Sequence, residues 1–220
     1  MEITKVWALY YSATGTTDKA VNTIAEELAA QLTLPIERLS FTRPAERTGT
    51  HLFTAEDLVV VGSPTYAGRL PNKIAPDFRS GLRGEGTPAV PVVLFGNRSY
   101  DNALAELWSV LMNNGFHPVA AGAFVGRHAF TDKLGEGRPD WDDKRQMRQF
   151  AAQIAGKLRS GRGETVAVPG VSDAPYYIPK GVDGEPVKFL QAKPRTDPGK
   201  CTNCGACARL CPMGAIDPRD

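Results

Sequence analysis

Cysteine is absent from the first 200 residues of this 220-residue sequence. The four cysteines are Cys201, Cys204, Cys207 and Cys211. Cysteines that serve as ordinary core residues would be scattered along the chain. Their confinement to one short segment therefore indicates a dedicated site.

Long apolar runs and a strong charge imbalance are also lacking. No run approaches the roughly 20 apolar residues that span a bilayer, and the net charge of +2 is too small to indicate a nucleic-acid surface. The start, "MEITKVWALYYS", has neither a basic leader nor a small-residue cleavage site. We therefore expect a cytoplasmic protein with no nucleic-acid or membrane partner.

Apolar runs typical of strands alternate with helical periods over about the first 160 residues. The strand patterns lie at 5–11, 34–41, 57–66, 89–97 and 118–125, and the helical periods at about 16–31, 104–112 and 139–159. This alternation predicts an α/β fold with a five-stranded parallel sheet, helices on both faces and strand order 2-1-3-4-5. Such folds bind ligands at the carboxyl ends of their strands.

The stretch "LYYSATGTTDKA" (9–20) joins the first strand to the first helix. It carries four hydroxyl residues and one glycine, namely Ser12, Thr14, Gly15, Thr16 and Thr17. It lacks the lysine of a nucleoside triphosphate loop and the G-x-G-x-x-G pattern of dinucleotide binding. Backbone amides and hydroxyls at a helix N-terminus are suited to a monophosphate. A capped, hydroxyl-rich loop without a ligand is the alternative.

Two further strand ends carry the loops "GSPTYAGRLP" (62–71) and "GNRSYDNA" (96–103). They present Tyr66 and Tyr100, which together are suited to enclose a planar ring. Each tyrosine alone is more readily explained by packing at the rim of the core.

The three loops resemble those of flavodoxins. "SATGTT" is similar to the phosphate loop [ST]-x-T-G-x-T, and "SPTYAG" and "GNRSYD" are similar to the two loops that hold the isoalloxazine ring. The resemblance covers about residues 1–160 and implies bound FMN, with its phosphate on the hydroxyl loop and its ring between Tyr66 and Tyr100. The cofactor-binding residues it implies are Ser12, Thr14, Gly15, Thr16, Thr17, Pro64, Thr65, Tyr66, Gly68, Gly96, Asn97, Arg98, Tyr100 and Asp101.

One feature departs from flavodoxins, which are usually acidic around the flavin. Here Arg69 and Arg98 lie in the two ring loops. One hypothesis is that they favour the anionic reduced flavin and raise its potential. The alternative is that both side chains point into solvent.

The cysteines follow the spacing C-x2-C-x2-C-x3-C-P, the run of bacterial ferredoxins, which predicts a 4Fe–4S cluster on Cys201, Cys204, Cys207 and Cys211. A zinc site or a disulfide framework is the alternative. In two-cluster ferredoxins the fourth cysteine ligates the other cluster. Three explanations therefore compete: the chain is a truncated form of a longer protein, which we favour, the four cysteines hold one cluster locally, or two chains complete each other.

Residues 161–199 are rich in proline and glycine and have no regular period. They predict an extended linker between a domain at 1–160 and an iron–sulfur segment at 200–220. Tyr176, Tyr177 and Phe189 are too apolar for a solvated tether, so we expect some of them to pack on the first domain.

As a whole, the chain resembles flavodoxin–ferredoxin fusion proteins of anaerobic microbes. The resemblance implies electron transfer between the cluster and FMN, with a ferredoxin-like redox protein as partner. An FMN-dependent reductase of a small acceptor such as a quinone, or a colourless zinc-binding or structural protein, are the alternatives. No residue stands out as a catalytic acid or base.

Overall fold

The computed structural model describes residues 2–96, 98–187 and 195–217. The elements in chain order are β1 (Lys5–Tyr10), α1 (Thr16–Leu32), β2 (Ile36–Ser40), β3 (His51–Phe53), β4 (Asp57–Pro64), α2 (Ala75–Gly81), β5 (Leu82–Gly84), β6 (Thr87–Phe95), α3 (Ala103–Asn113), β7 (Phe116–Pro118), β8 (Gly122–Val125), α4 (Trp141–Arg159) and α5 (Ala206–Leu210). A short 3-10 helix, Pro44–Arg47, follows β2. Among the described residues, no helix is both long and apolar enough to cross a membrane.

The main sheet is parallel, with the order β2-β1-β4-β6, and both β7 and β8 pair with the outer side of β6. This confirms the predicted fold class and order. The predicted fifth strand is divided into two short strands. Residues 119–121 lie opposite only residues 90–91 of β6, so one extra residue interrupts the ladder, as in a β-bulge.

The sequence patterns missed α2 and a small second sheet, in which β3 pairs in parallel with β5. Strands of three residues are too short to show a two-residue period. Their position is fixed instead by contacts such as the Thr87 hydroxyl, which donates to the carbonyl of Phe53 at 2.9 Å.

Two hydrophobic clusters lie on opposite faces of the sheet. Residues of α1 and α4 belong to one cluster, and residues of α2 and α3 belong to the other. Close packing brings α1 against the end of β4, where a Cβ on Gly62 would lie 2.1 Å from Cγ2 of Val21. A glycine is required there, because any side chain would push the start of α1 away from the sheet.

Candidate functional site

A cavity of about 630 Å³ opens at the carboxyl ends of the strands, within the size range of small-molecule sites. Its lining residues come from the segments 13–17, 64–68, 94–96, 98–99, 126–130 and 176–179, together with Asn72. The three loops noted in the sequence therefore meet at one place, and two further segments join them.

Most of the predicted cofactor-binding residues contribute to this cavity. Those that line it are Thr14, Thr16, Thr17, Pro64, Thr65, Tyr66, Gly68, Gly96 and Arg98. Those that do not line it are Ser12, Gly15, Tyr100 and Asp101, and Asn97 lies outside the described residues.

The hydroxyl loop forms one end of the cavity. Gly15 precedes α1 with a φ of 79°, a left-handed conformation that glycine adopts without strain. The Ser12 hydroxyl accepts a hydrogen bond from the Asp18 amide at 3.0 Å, so it supports the loop rather than facing a ligand. Within the described residues, the backbone amides of 13–17 form no hydrogen bond. These amides, with the neighbouring threonine hydroxyls, make an uncharged cradle for an anion.

The second loop supplies a polar group that lacks a partner. Oγ1 of Thr65 is buried in the cavity wall and forms no hydrogen bond among the described residues. Buried polar atoms are nearly always satisfied, so this hydroxyl is suited to a ligand that donates or accepts a hydrogen bond. Gly68, with a φ of 78°, lets this loop approach the third one, because a Cβ there would lie 2.5 Å from the carboxylate of Asp101.

The two tyrosines expected to enclose a ring are separated in the structure. Tyr66 lines the cavity. Tyr100 packs against Phe95, with ring centroids 5.6 Å apart, and lines a second cavity of about 540 Å³ beside α3 and α4. Tyr100 turns inward because its ring finds apolar neighbours in the adjacent core cluster.

Arg69 neither faces the cavity nor points into solvent. It is 7% exposed, and its guanidinium donates to the Glu106 carboxylate at 2.7 Å and to the Ser172 carbonyl at 2.9 Å. The Glu106 carboxylate, through this hydrogen bond, raises the pKa of Arg69. Its charge is therefore paired within the domain, so the alternative that it points into solvent is wrong, and its effect on a flavin stays a prediction.

Arg98 does line the cavity. It pairs with Asp101, and its guanidinium lies 4.1 Å from the centre of the Tyr177 ring, in cation–π contact. The effect of its charge on a flavin stays a prediction.

Sequence reasoning missed the segments 126–130 and 176–179. The first follows β8, and a Cβ on Gly126 would lie 2.6 Å from Cγ2 of Thr16, so it closely approaches the hydroxyl loop. Its position after the fifth strand was a usable signal, since parallel strands end at one edge of the sheet. It brings Arg127, His128 and Phe130 to the cavity.

The second segment contains Tyr176 and Tyr177, and their hydrogen bonds to Leu70 and Ala67 confirm the expected packing on the first domain, although not the place of contact. Phe189 lies outside the described residues.

All four cysteines have free thiols, and three of them are exposed. Among the described residues, no group of three His, Cys, Asp or Glu side chains is gathered to hold a metal ion. The thiols are nevertheless suited to iron. Backbone N–H groups, first those of Ala206 and Ala215 respectively, lower the pKa of Cys204 and of Cys211, and the thiolate is the form that binds metal.

The cysteine segment contacts the first domain through Arg47. The guanidinium of this side chain donates to the carbonyl of Pro212 at 3.1 Å and pairs with the carboxylate of Asp77 at 2.8 Å. The Arg47 side chain is only 8% exposed, so the contact is shielded from water. The segment is thus docked on the domain beside the 3-10 helix.

Tyr11 connects this docking point with the cavity. Burial, followed by the neighbouring Tyr66, raises the pKa of Tyr11 to about 12, and the charge of Cys211 adds to the shift. Tyr66, which contributes to this shift, lines the cavity. Tyr11 is therefore within electrostatic reach of both the cavity wall and Cys211.

Comparisons with known proteins agree with these two parts. Residues 194–217 match the family model described as a 4Fe-4S binding domain, which confirms the ferredoxin-type segment predicted from the cysteine spacing. No curated protein sequence matches the chain.

Among solved structures, the chain resembles rubredoxin oxygen:oxidoreductase from Desulfovibrio gigas, with a TM-score of 0.50 and 19% identity over 72% of this chain and 37% of that one. The flavodoxin of Streptococcus pneumoniae TIGR4 gives a TM-score of 0.49 and 20% identity over 70% of this chain and 99% of that one. The likeness to the Desulfovibrio gigas structure shows the fold of the first domain and nothing further.

Proposed function

We propose that this chain, a flavodoxin-like domain joined to a ferredoxin-type 4Fe–4S segment, is an electron-transfer flavoprotein that relays electrons between a cluster and FMN. The observation that carries the proposal is the docking of the cysteine segment. The largely buried side chain of Arg47 donates to the carbonyl of Pro212, the residue after Cys211, and so holds the fourth cysteine against the domain that carries the cavity. Redox groups held at the cysteines and in the cavity would then belong to one docked unit.

The cavity residues match the parts of FMN. The free amides of 13–17 and the hydroxyls of Thr14, Thr16 and Thr17 would hold the phosphate without a charged side chain. The unpaired hydroxyl of Thr65 supplies a hydrogen bond, and Tyr66 supplies an aromatic face. When bound, FMN supplies one- or two-electron redox chemistry.

The thiols of Cys201, Cys204, Cys207 and Cys211 would ligate the cluster. The family match and the run C-x2-C-x2-C-x3-C-P support this assignment. The N–H groups that favour the thiolates would also stabilise negative charge on a bound cluster.

The proposed partner is a ferredoxin-like redox protein. Leu210 and Met213, beside the fourth cysteine, are 69% and 41% exposed, so the cysteine segment presents apolar contact area for an incoming protein. Small apolar patches of this kind suit brief encounters between electron carriers.

The test is an absorption spectrum of the full chain purified without oxygen, with assays of FMN, iron and sulfide. We expect bound FMN with near-stoichiometric iron and sulfide. The variant Cys204→Ser should lose iron and sulfide but keep FMN, because none of the described residues that line the cavity belongs to the cysteine segment. Wild-type protein that lacks both flavin and iron would overturn the proposal.

A comparison of two electron acceptors distinguishes the relay from the alternative, an FMN-dependent reductase of a small acceptor. The reduced protein is mixed without oxygen either with a small quinone or with an oxidised ferredoxin, each at the same concentration. We expect faster oxidation by ferredoxin, because the exposed Leu210 and Met213 beside the cysteines offer a protein partner apolar contact area. Faster oxidation by the quinone, with sustained turnover, would favour the reductase.

A further inference from the structure

The segment after α4 is held on the surface of the domain rather than extended into solvent. The Val166 amide donates to the Pro118 carbonyl at 2.9 Å, and Nε1 of Trp108 donates to the Val166 carbonyl at 2.8 Å. Farther along, the Val171 amide donates to Oδ1 of Asn102 at 2.8 Å. The chain is therefore guided across the ends of β7 and α3.

The next anchors fix the segment at the cavity itself. The Tyr176 hydroxyl donates to the Leu70 carbonyl at 2.8 Å, and the Tyr177 amide donates to the Ala67 carbonyl at 2.8 Å. Arg69 holds the segment at two points. Its guanidinium donates to the Ser172 carbonyl and lies 5.4 Å from the centre of the Tyr176 ring. We call residues 176–179 the aromatic strap.

The two tyrosines of the strap have different surroundings. The hydroxyl of Tyr176 is hydrogen-bonded and its ring contacts the guanidinium of Arg69, so Tyr176 anchors the strap. Tyr177 is anchored through its backbone amide and is 45% exposed in the cavity wall, with the guanidinium of Arg98 over its ring. Its ring is therefore available to a ligand.

Tyr100, by contrast, is directed into the second cavity and packs on Phe95. The third loop thus offers the main cavity Arg98 but no aromatic ring from Tyr100. A flat ligand bound beside Tyr66 needs a second apolar face, because an exposed ring face would remain in water.

We propose that Tyr177, from the segment between the two parts, supplies this second aromatic face and contacts the ring system of the bound flavin in place of Tyr100. The inference rests on the proposed FMN site. It makes the aromatic strap part of the cofactor pocket and gives Tyr176 a positioning role, since its hydroxyl fixes the strap to the second loop.

The experiment measures FMN affinity and flavin fluorescence with the full chain after removal of its flavin. Tyr177→Leu keeps apolar bulk but removes the aromatic ring, and Tyr177→Phe keeps the ring. We expect the leucine variant to bind FMN about 3- to 10-fold more weakly and to quench its fluorescence less, whereas Tyr177→Phe should resemble the wild type.

Tyr100→Leu is the matched control, and its FMN affinity and fluorescence should equal those of the wild type. Circular dichroism and the thermal midpoint of each variant establish that it is folded. Wild-type affinity and quenching in Tyr177→Leu, or a larger loss in Tyr100→Leu, would overturn the inference while leaving the FMN site intact. A wild-type chain that binds no FMN would instead overturn the proposed function, and the inference with it.

Discussion

At the scale of single residues, Glu106 is a buried carboxylate with several hydrogen-bond donors around it. It is 2% exposed and accepts hydrogen bonds from Arg69 at 2.7 Å, from the Leu70 amide at 2.9 Å and from Arg79 at 2.7 Å. One carboxylate therefore neutralises the buried Arg69 and fixes the second cavity loop. The sequence did not predict the pairing of Glu106 with Arg69, because Glu106 appears there only as one acidic residue within a helical period.

We expect Glu106→Gln to lower the free energy of unfolding by about 3–5 kcal/mol, because the charge of Arg69 would remain buried without its counter-ion. Denaturation in urea measures the change. The control is Glu26→Gln, whose carboxylate pairs with Arg38 at 2.7 Å on the surface and should cost about 0.2–1 kcal/mol. Equal costs for the two variants would contradict the prediction.

At the scale of elements, the start of α4 is held by a capping box. The Asp140 side chain accepts from the Asp143 amide at 3.0 Å, and the Asp143 side chain accepts from the Asp140 amide at 2.9 Å. Asp143 also pairs with Arg138. That hydrogen-bonded guanidinium, more than any other group, lowers the pKa of the Asp143 carboxyl. The sequence predicted this helix and its approximate start, but not the ion pair that fixes it.

The ion pair of Asp143 with Arg138 predicts that the stability of the fold decreases at acidic pH. Because the folded pKa of Asp143 lies below its unfolded value of about 3.9, the stabilisation is present above that value and is lost as the pH falls through the folded pKa. We expect Asp143→Asn to cost roughly 1.5–3 kcal/mol at pH 7, and the difference from wild type to shrink below about pH 4.

Urea denaturation at several pH values between 3 and 7 provides the measurement. Asp142→Asn is the control, since the side chain of Asp142 is 63% exposed and pairs only with the exposed Arg145 among the described residues. A stability difference for Asp143→Asn that stays constant over this whole pH range would rule out the proposed linkage.

At the scale of the whole molecule, the first domain and the cysteine segment meet at Arg47. This side chain also donates to the carbonyls of Phe41 and Thr42, at 3.0 and 2.7 Å, so it joins the end of β2 to the segment that carries the cysteines. The hydrogen bonds to Pro212 connect residues 165 positions apart in the chain.

We expect Arg47→Met to release the docked segment, with amide hydrogen exchange in residues 195–217 rising roughly tenfold, because bonds to a charged donor would be lost. Hydrogen exchange with mass spectrometry resolves this segment from the rest. Arg43→Met is the control, since Arg43 bonds to Glu46 on the surface. Unchanged exchange in Arg47→Met would show that the contact does not hold the segment.

The sequence by itself determined the features that are encoded locally. Apolar runs and helical periods predicted five strands in the order 2-1-3-4-5, with β7 and β8 as the divided fifth strand, because period and length are read along the chain. The loop compositions located half of the residues that line the cavity, and the cysteine spacing identified the 4Fe–4S binding segment.

Only the tertiary structure decided which of these residues meet. It turned Tyr100 away from the cavity, brought Tyr177 to its wall, buried Arg69 against Glu106 and joined Pro212 to Arg47. Each outcome depends on contacts between residues distant in the chain. Burial and hydrogen bonding select such contacts after the elements have packed, so no local pattern records them.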